Sequence, residues 1–134
     1  MAQIAEDLFL LLLDNASAQP GLDSPRRDRV LAAATLLDLA YTCRIRPAVD
    51  GERVPPGHLV ALDAAGPMDP VVAPALELLR AKPRRPERAI KTLGRHAEDR
   101  LVEHLERTGQ IRRVALRSHG MRRSEAYPLA DRRR

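Results

Sequence analysis

Tryptophan is absent from this 134-residue chain, and its aromatics are Phe9, Tyr41 and Tyr127 alone. The core must therefore be assembled from Leu, Val, Ala and Ile, and the stacking platforms on which unpaired bases lie are nearly missing. Cysteine occurs once, as Cys43, which excludes an internal disulfide and suits a reducing compartment. Its place in an apolar helical stretch predicts a buried thiol. Long apolar runs are missing as well. The run Leu8 to Leu13 has six residues and follows Glu6 and Asp7, so it is too short and wrongly flanked for a signal peptide or a membrane span. The expectation is a cytoplasmic protein that meets a membrane only at its surface. No H-E-x-x-H, C-x-x-C or Gly-rich phosphate loop occurs.

The length fits one domain over residues 1–134, able to bury about two-thirds of its extended surface. Net charge is +5, carried unevenly: residues 1–111 hold 15 basic and 16 acidic side chains, residues 112–134 hold 8 and 2. The basicity thus belongs to the last segment, where a concentrated patch attracts polyanions or an anionic membrane more than a scattered one would. Of the 23 basic residues only Lys82 and Lys91 are lysine.

Apolar spacing predicts a short helix over residues 4–14, ending in the turn-like "DNASAQPG". A second helix begins at "DSPRRDRV", with Ser24 as cap and Pro25 at the first helical position. Residues 45–62, punctuated by Asp50-Gly51 and Pro55 to Gly57, read as a small hairpin. Asp69 caps and Pro70 opens a third helix running to about Ala81 and weakened by Pro74. After "KPRRP", helical spacing resumes through Leu105 until Gly109 closes it, with Gly94 a point of division. Ile111, Val114 and Leu116, then "SHG" (118–120), predict a second hairpin, and residues 130–134 a frayed basic tail. The fold class is mainly α, a helical domain with one or two small β-hairpins.

His96, Asp99 and Glu103 fall roughly on one helical face, with His104 displaced from it, and read as a solvated charged face rather than a metal site. Cys43 has no histidine base nearby in sequence. The expectation is no enzyme, no metal and no cofactor. The ribbon after "ERTGQIRRV" admits two readings. As the wing of a winged-helix module it would place Arg112, Arg113, Arg117, Arg122 and Arg123 on nucleic-acid phosphates. Against this, Glu98, Asp99, Glu103 and Glu106 on the preceding helix would repel those phosphates. As a lipid-headgroup patch it needs only guanidinium forks and an anionic leaflet. A third reading is a protein-interaction module that uses the apolar first helix.

Five pieces in succession, "EDLFLLLLD" (6–14), "LLDLAYTCRI" (36–45), "MDPVVAPAL" (68–76), "RLVEHLERTGQIRR" (100–113) and "YPLAD" (127–131), give the chain a likeness over nearly its whole length. It resembles the Golgi phosphoprotein 3 family of phosphoinositide-binding peripheral membrane proteins, as a short or truncated, bacterial-type member. The likeness implies a mostly helical fold with a hairpin and binding of phosphatidylinositol 4-phosphate at a membrane surface. It also implies oligomer contacts and protein clients, which in eukaryotic members are Golgi glycosyltransferases. The chain departs from the family at its headgroup site. The family's tryptophan falls near Asp23, its partner arginine on Ala32, and two later arginines on Arg95 and Glu98. Arg29, one turn before Ala32, supplies a cation on the same face, and Lys91 lies one turn from Arg95. The expected headgroup contacts are therefore Arg29, Lys91 and Arg95, with Arg112 and Arg113 as supporting charges, and the expected partner is an anionic phospholipid membrane ahead of nucleic acid.

Overall fold

The computed structural model describes residues 3–13, 22–64, 66–112, 114–117, 123–126 and 128. In chain order these form α1 (Gln3–Leu12), α2 (Ser24–Tyr41), β1 (Ile45–Pro47), β2 (Leu59–Ala61), α3 (Ala73–Ala81), α4 (Pro86–Arg107), β3 (Val114–Arg117) and β4 (Arg123–Ala126). The mainly helical class is confirmed. Each strand pair is an antiparallel hairpin, β1 on β2 with Ile45 opposite Ala61, and β3 on β4 with Val114 opposite Ala126. The predicted turn over 14–21, the "SHG" tip and the tail at 130–134 lie outside the described residues.

The scarcity of aromatics is met by leucine. Phe9 of α1, Leu31 and Leu39 of α2, Leu79 of α3, and Leu101 and Leu105 of α4 are fully buried in one contiguous core. Each such side chain contributes about 1.5–3 kcal/mol by leaving water. The first hairpin is tied to the helices at its edge, where Leu59 N–H donates to the Arg84 carbonyl at 2.7 Å. Asp38 joins α2 to the start of α1. Its carboxyl, only 3% exposed, accepts the Ile4 N–H at 2.8 Å and the Ala5 N–H at 3.0 Å. Two of the otherwise unsatisfied amides of the α1 N-terminus are thus capped from another helix. Burial pushes the Asp38 carboxyl above its ordinary value, against the downward pull of those two hydrogen bonds.

Helix ends account for most differences from the sequence reading. Asp23, not Ser24, is the residue flanking α2, in extended conformation and with no side-chain cap bond. Asp69 accepts the Val71 N–H at 2.9 Å through Oδ1, which makes a turn ahead of α3 and delays the helix to Ala73. Pro74 consequently lies in the first turn, where its missing N–H costs nothing. Gly94 does not divide α4, which is continuous for 22 residues.

Both long helices end in the same motif. At α4, Gln110 N–H donates to the Leu105 carbonyl (2.8 Å) and Gly109 N–H to the Glu106 carbonyl (3.1 Å), with Gly109 at φ +75°. At α2, Arg44 N–H donates to the Leu39 carbonyl (2.8 Å) and Cys43 N–H to the Ala40 carbonyl (3.0 Å), with Cys43 at φ +59°. These are Schellman caps, and the second holds a cysteine where glycine is preferred. The left-handed turn leaves Cys43 exposed. The expectation of a buried thiol is corrected, because α2 ends at Tyr41 and Cys43 stands beyond it in the left-handed cap.

Two predictions follow from these ends. Cys43→Gly relieves the left-handed strain and stabilises the fold by about 1 kcal/mol, measurable as a higher urea midpoint at unchanged m-value. For Asp38, a folded-state pKa raised above the unfolded value means stability present below the unfolded value and lost as pH rises through the folded one. The stability gap between wild type and Asp38→Asn is therefore wider at pH 3 than at pH 7 in urea unfolding. A wider gap at neutral pH refutes the direction.

Candidate functional site

Helices α2 and α4 approach closely where Gly94 has no side chain to hold them apart. A Cβ at Gly94 would lie 3.5 Å from the Asp28 carbonyl oxygen and 3.7 Å from the Asp28 Cβ. Beside this crossing a cleft of about 480 Å³ opens, lined by Pro25, Asp28, Arg29, Glu87, Ile90, Lys91, Gly94 and Arg95. The lining follows helical spacing on both walls. Positions 25 and 29 of α2 are one turn apart, as are 87, 91 and 95 and also 90 and 94 of α4, so each set lies along one face.

Arg29, Lys91 and Arg95, which the sequence reading nominated separately, thus share one concave surface. All three are exposed. Arg112 is exposed too, with its N–H donating to the Pro128 carbonyl at 3.0 Å, but it does not line this cleft. Arg113 lies outside the described residues. Ala32 is fully buried, so the position that the family likeness gives to an arginine belongs to the core here, and Arg29 presents its charge at the surface instead.

Two acids in the lining, Asp28 and Glu87, were not singled out from sequence. Glu87 was within reach as the residue one turn before Lys91. Asp28 was not, because its membership depends on the crossing at Gly94. Burial raises the Asp28 carboxyl above its ordinary value; Arg27 opposes this, and Asp99 adds to it. The cleft therefore carries three cations against two acids, one of them in surroundings that disfavour its charged form.

Glu98, where the family likeness places an arginine, is held by Arg27. Arg27 Nε donates to Glu98 Oε2 at 2.8 Å and Nη1 donates to the Leu22 carbonyl at 2.8 Å. Both side chains are mostly buried, at 13% and 14% exposure. This pair joins the start of α2 to the middle of α4 beside the cleft. The group considered for a metal, His96, Asp99 and Glu103, is exposed along α4.

The Arg27 and Glu98 pair is testable by its asymmetry. Glu98→Ala leaves a guanidinium half-stripped of partners and lowers stability by about 2–3 kcal/mol. The double variant Arg27→Ala/Glu98→Ala recovers part of that loss, read as a positive coupling in a urea-unfolding double-mutant cycle. Additive losses would show that the two side chains do not act as a pair.

A family model described as Golgi phosphoprotein 3 (GPP34) matches residues 4–134. A comparison with curated proteins gives no match. No helix among the described residues is long and apolar enough to cross a membrane.

Proposed function

The chain belongs to the Golgi phosphoprotein 3 (GPP34) family, and from that premise we propose that it is a non-enzymatic, peripheral binder of anionic phospholipid headgroups, with phosphatidylinositol 4-phosphate as the preferred lipid. The observation that carries this reading is the convergence of Arg29, Lys91 and Arg95 on one cleft. A phosphomonoester presents three acceptor oxygens, and guanidinium forks from two different helices can engage it bidentately while the ammonium adds a point charge. The Gly94 crossing keeps the two walls near enough for one phosphate to meet cations from both. Asp28 and Glu87 oppose diffuse anion binding and give preference to a ligand that also has hydroxyls to donate, as an inositol ring does.

No tryptophan is available to insert beside the headgroup, so docking is electrostatic. Binding then weakens steeply with salt, because exposed charges are screened within about 10 Å at 0.1 M ionic strength. The basic residues after Arg112 add long-range attraction to the leaflet, at about 1 kcal/mol for each Lys or Arg near the surface. Protein clients and self-association belong to the same reading as further partners of the membrane-bound form.

Flotation with three vesicle compositions tests the proposal: neutral phosphatidylcholine, the same with phosphatidylserine, and the same with phosphatidylinositol 4-phosphate at matched charge. The expected order is strongest on phosphatidylinositol 4-phosphate, weaker on phosphatidylserine and none on neutral vesicles. Arg95→Ala and Arg29→Ala each weaken binding to the phosphoinositide vesicles by about tenfold or more, as loss of one charge-assisted pair implies. Absence of binding to all three compositions sinks the membrane reading. Equal binding to both anionic compositions keeps the membrane and discards headgroup preference.

A further inference from the structure

On another part of the molecule, three side chains remote in sequence converge: Glu6 of α1, Asp69 of the turn before α3, and His104 in the last turn of α4. One ligand atom from each, two carboxylate oxygens and an imidazole nitrogen, all lie within 4.8 Å of one another. Glu6 is buried, and Asp69 and His104 are partly buried. Two carboxylates this close in a poorly hydrated place repel each other unless a cation lies between them.

The spacing around Glu6 is informative. His104 Nε2 stands 3.4 Å from Glu6 Oε1, longer than the roughly 2.7–2.9 Å of a charge-assisted hydrogen bond. It is close to the edge of a tetrahedron, about 3.3 Å, when metal–ligand bonds are roughly 2.0–2.1 Å. The Gln110 amide adds a second observation. Its Nε2 donates to Glu6 Oε1 at 3.2 Å and to Thr108 Oγ1 at 3.0 Å, which fixes the carboxylate as an outer partner does around a metal. Its Oε1 is buried and has no hydrogen-bond partner among the described residues. Rotating the amide by half a turn would exchange its two atoms and put that oxygen 3.2 Å from Glu6 Oε1.

We infer that Glu6, Asp69 and His104 form a structural site for a first-row divalent cation, zinc being the best match to one imidazole and two carboxylates, with water or the Gln110 carbonyl oxygen completing the coordination. The donor set disfavours magnesium and calcium, which take oxygen ligands alone. His104 is the histidine displaced from the exposed set at 96, 99 and 103, and its Nε2 faces Glu6 of α1. Such a metal would staple the two ends of the described helical body, α1 and the end of α4, through the turn that starts α3.

Tag-free, chelator-stripped protein titrated with Co²⁺ provides the test. The expected result is visible d–d absorption saturating at one Co²⁺ per chain and displaced by Zn²⁺. Excess Zn²⁺ should raise the thermal unfolding midpoint by about 5 °C or more. His104→Gln weakens binding by about 100-fold or more, at or above the range for loss of an outer partner. Asp69→Asn serves as a second variant, since it retains the oxygen that accepts the Val71 N–H, and it too loses the absorption. His96→Gln, on the exposed face of the same helix, binds as wild type. The inference is overturned if wild type shows neither absorption nor a Zn²⁺-dependent midpoint, or if binding survives in both His104→Gln and Asp69→Asn. Vesicle binding is read separately, and failure there leaves this site untouched.

Discussion

The arrangement of the basic face rests on one close approach, that of α4 to α2 at Gly94. Without a Cβ, the α4 backbone settles within ordinary van der Waals reach of Asp28. Glycine inside a helix costs roughly 1 kcal/mol relative to alanine, yet α4 runs unbroken through it. The burial of leucines on both helices, Leu93 and Leu101 of α4 and Leu31 and Leu39 of α2, far outweighs that cost. The helix survives its weak point because packing, not propensity, holds it. Once the crossing is set, side chains one turn away on each helix must diverge, and the cleft that opens between them collects the cations of both.

Charges near the crossing are sorted by their access to water. Arg27 and Glu98, mostly buried, satisfy each other at 2.8 Å. Arg29, Lys91 and Arg95, exposed, line the cleft and remain hydrated. An arginine at position 98 in place of the glutamate would face Arg27, and the two would repel in a poorly hydrated place. Glu98, where the likeness to the family places an arginine, therefore has a local partner in Arg27.

Much of the fold was legible from the sequence for a simple reason: apolar periodicity and turn chemistry are local. The helices at 3–12, 24–41 and 86–107, the hairpin between Ile45 and Ala61 and the glycine cap at Gly109 all follow from residues within a few positions. What was misread depended on contacts from afar or on one residue in an unusual conformation. Asp69 forms a turn instead of opening the helix, and Pro74 falls in a first turn that sequence alone placed one turn earlier. Cys43 adopts a left-handed conformation suited to glycine, so its exposure could not be read from its apolar neighbours. Of the cleft, Arg95 was nominated by the family likeness, and Arg29 and Lys91 by helix geometry one turn from positions that the likeness marks. Asp28, Ile90 and Gly94 were not, because an interhelical crossing leaves no signature within either helix.

The same limit explains why the sequence concealed Glu6, Asp69 and His104 while displaying His96, Asp99 and Glu103. Spacing along one helix finds donors on one face, but a face rich in acids is most often turned to water, as these three are. Donors brought together from α1, the turn before α3 and the end of α4 share no period. They do share a physical demand: a carboxyl buried at 8% exposure must be matched by a cation or by hydrogen-bond donors. Glu6 has only the Gln110 amide and an imidazole at 3.4 Å among its described partners. In the cleft the order is reversed, since three exposed cations have water as their counterpart and need no bound anion to stay folded. Burial thus separates two kinds of charged cluster on one small chain. A shielded group must keep its counter-charge to remain folded, whereas an exposed one can exchange its partners with water.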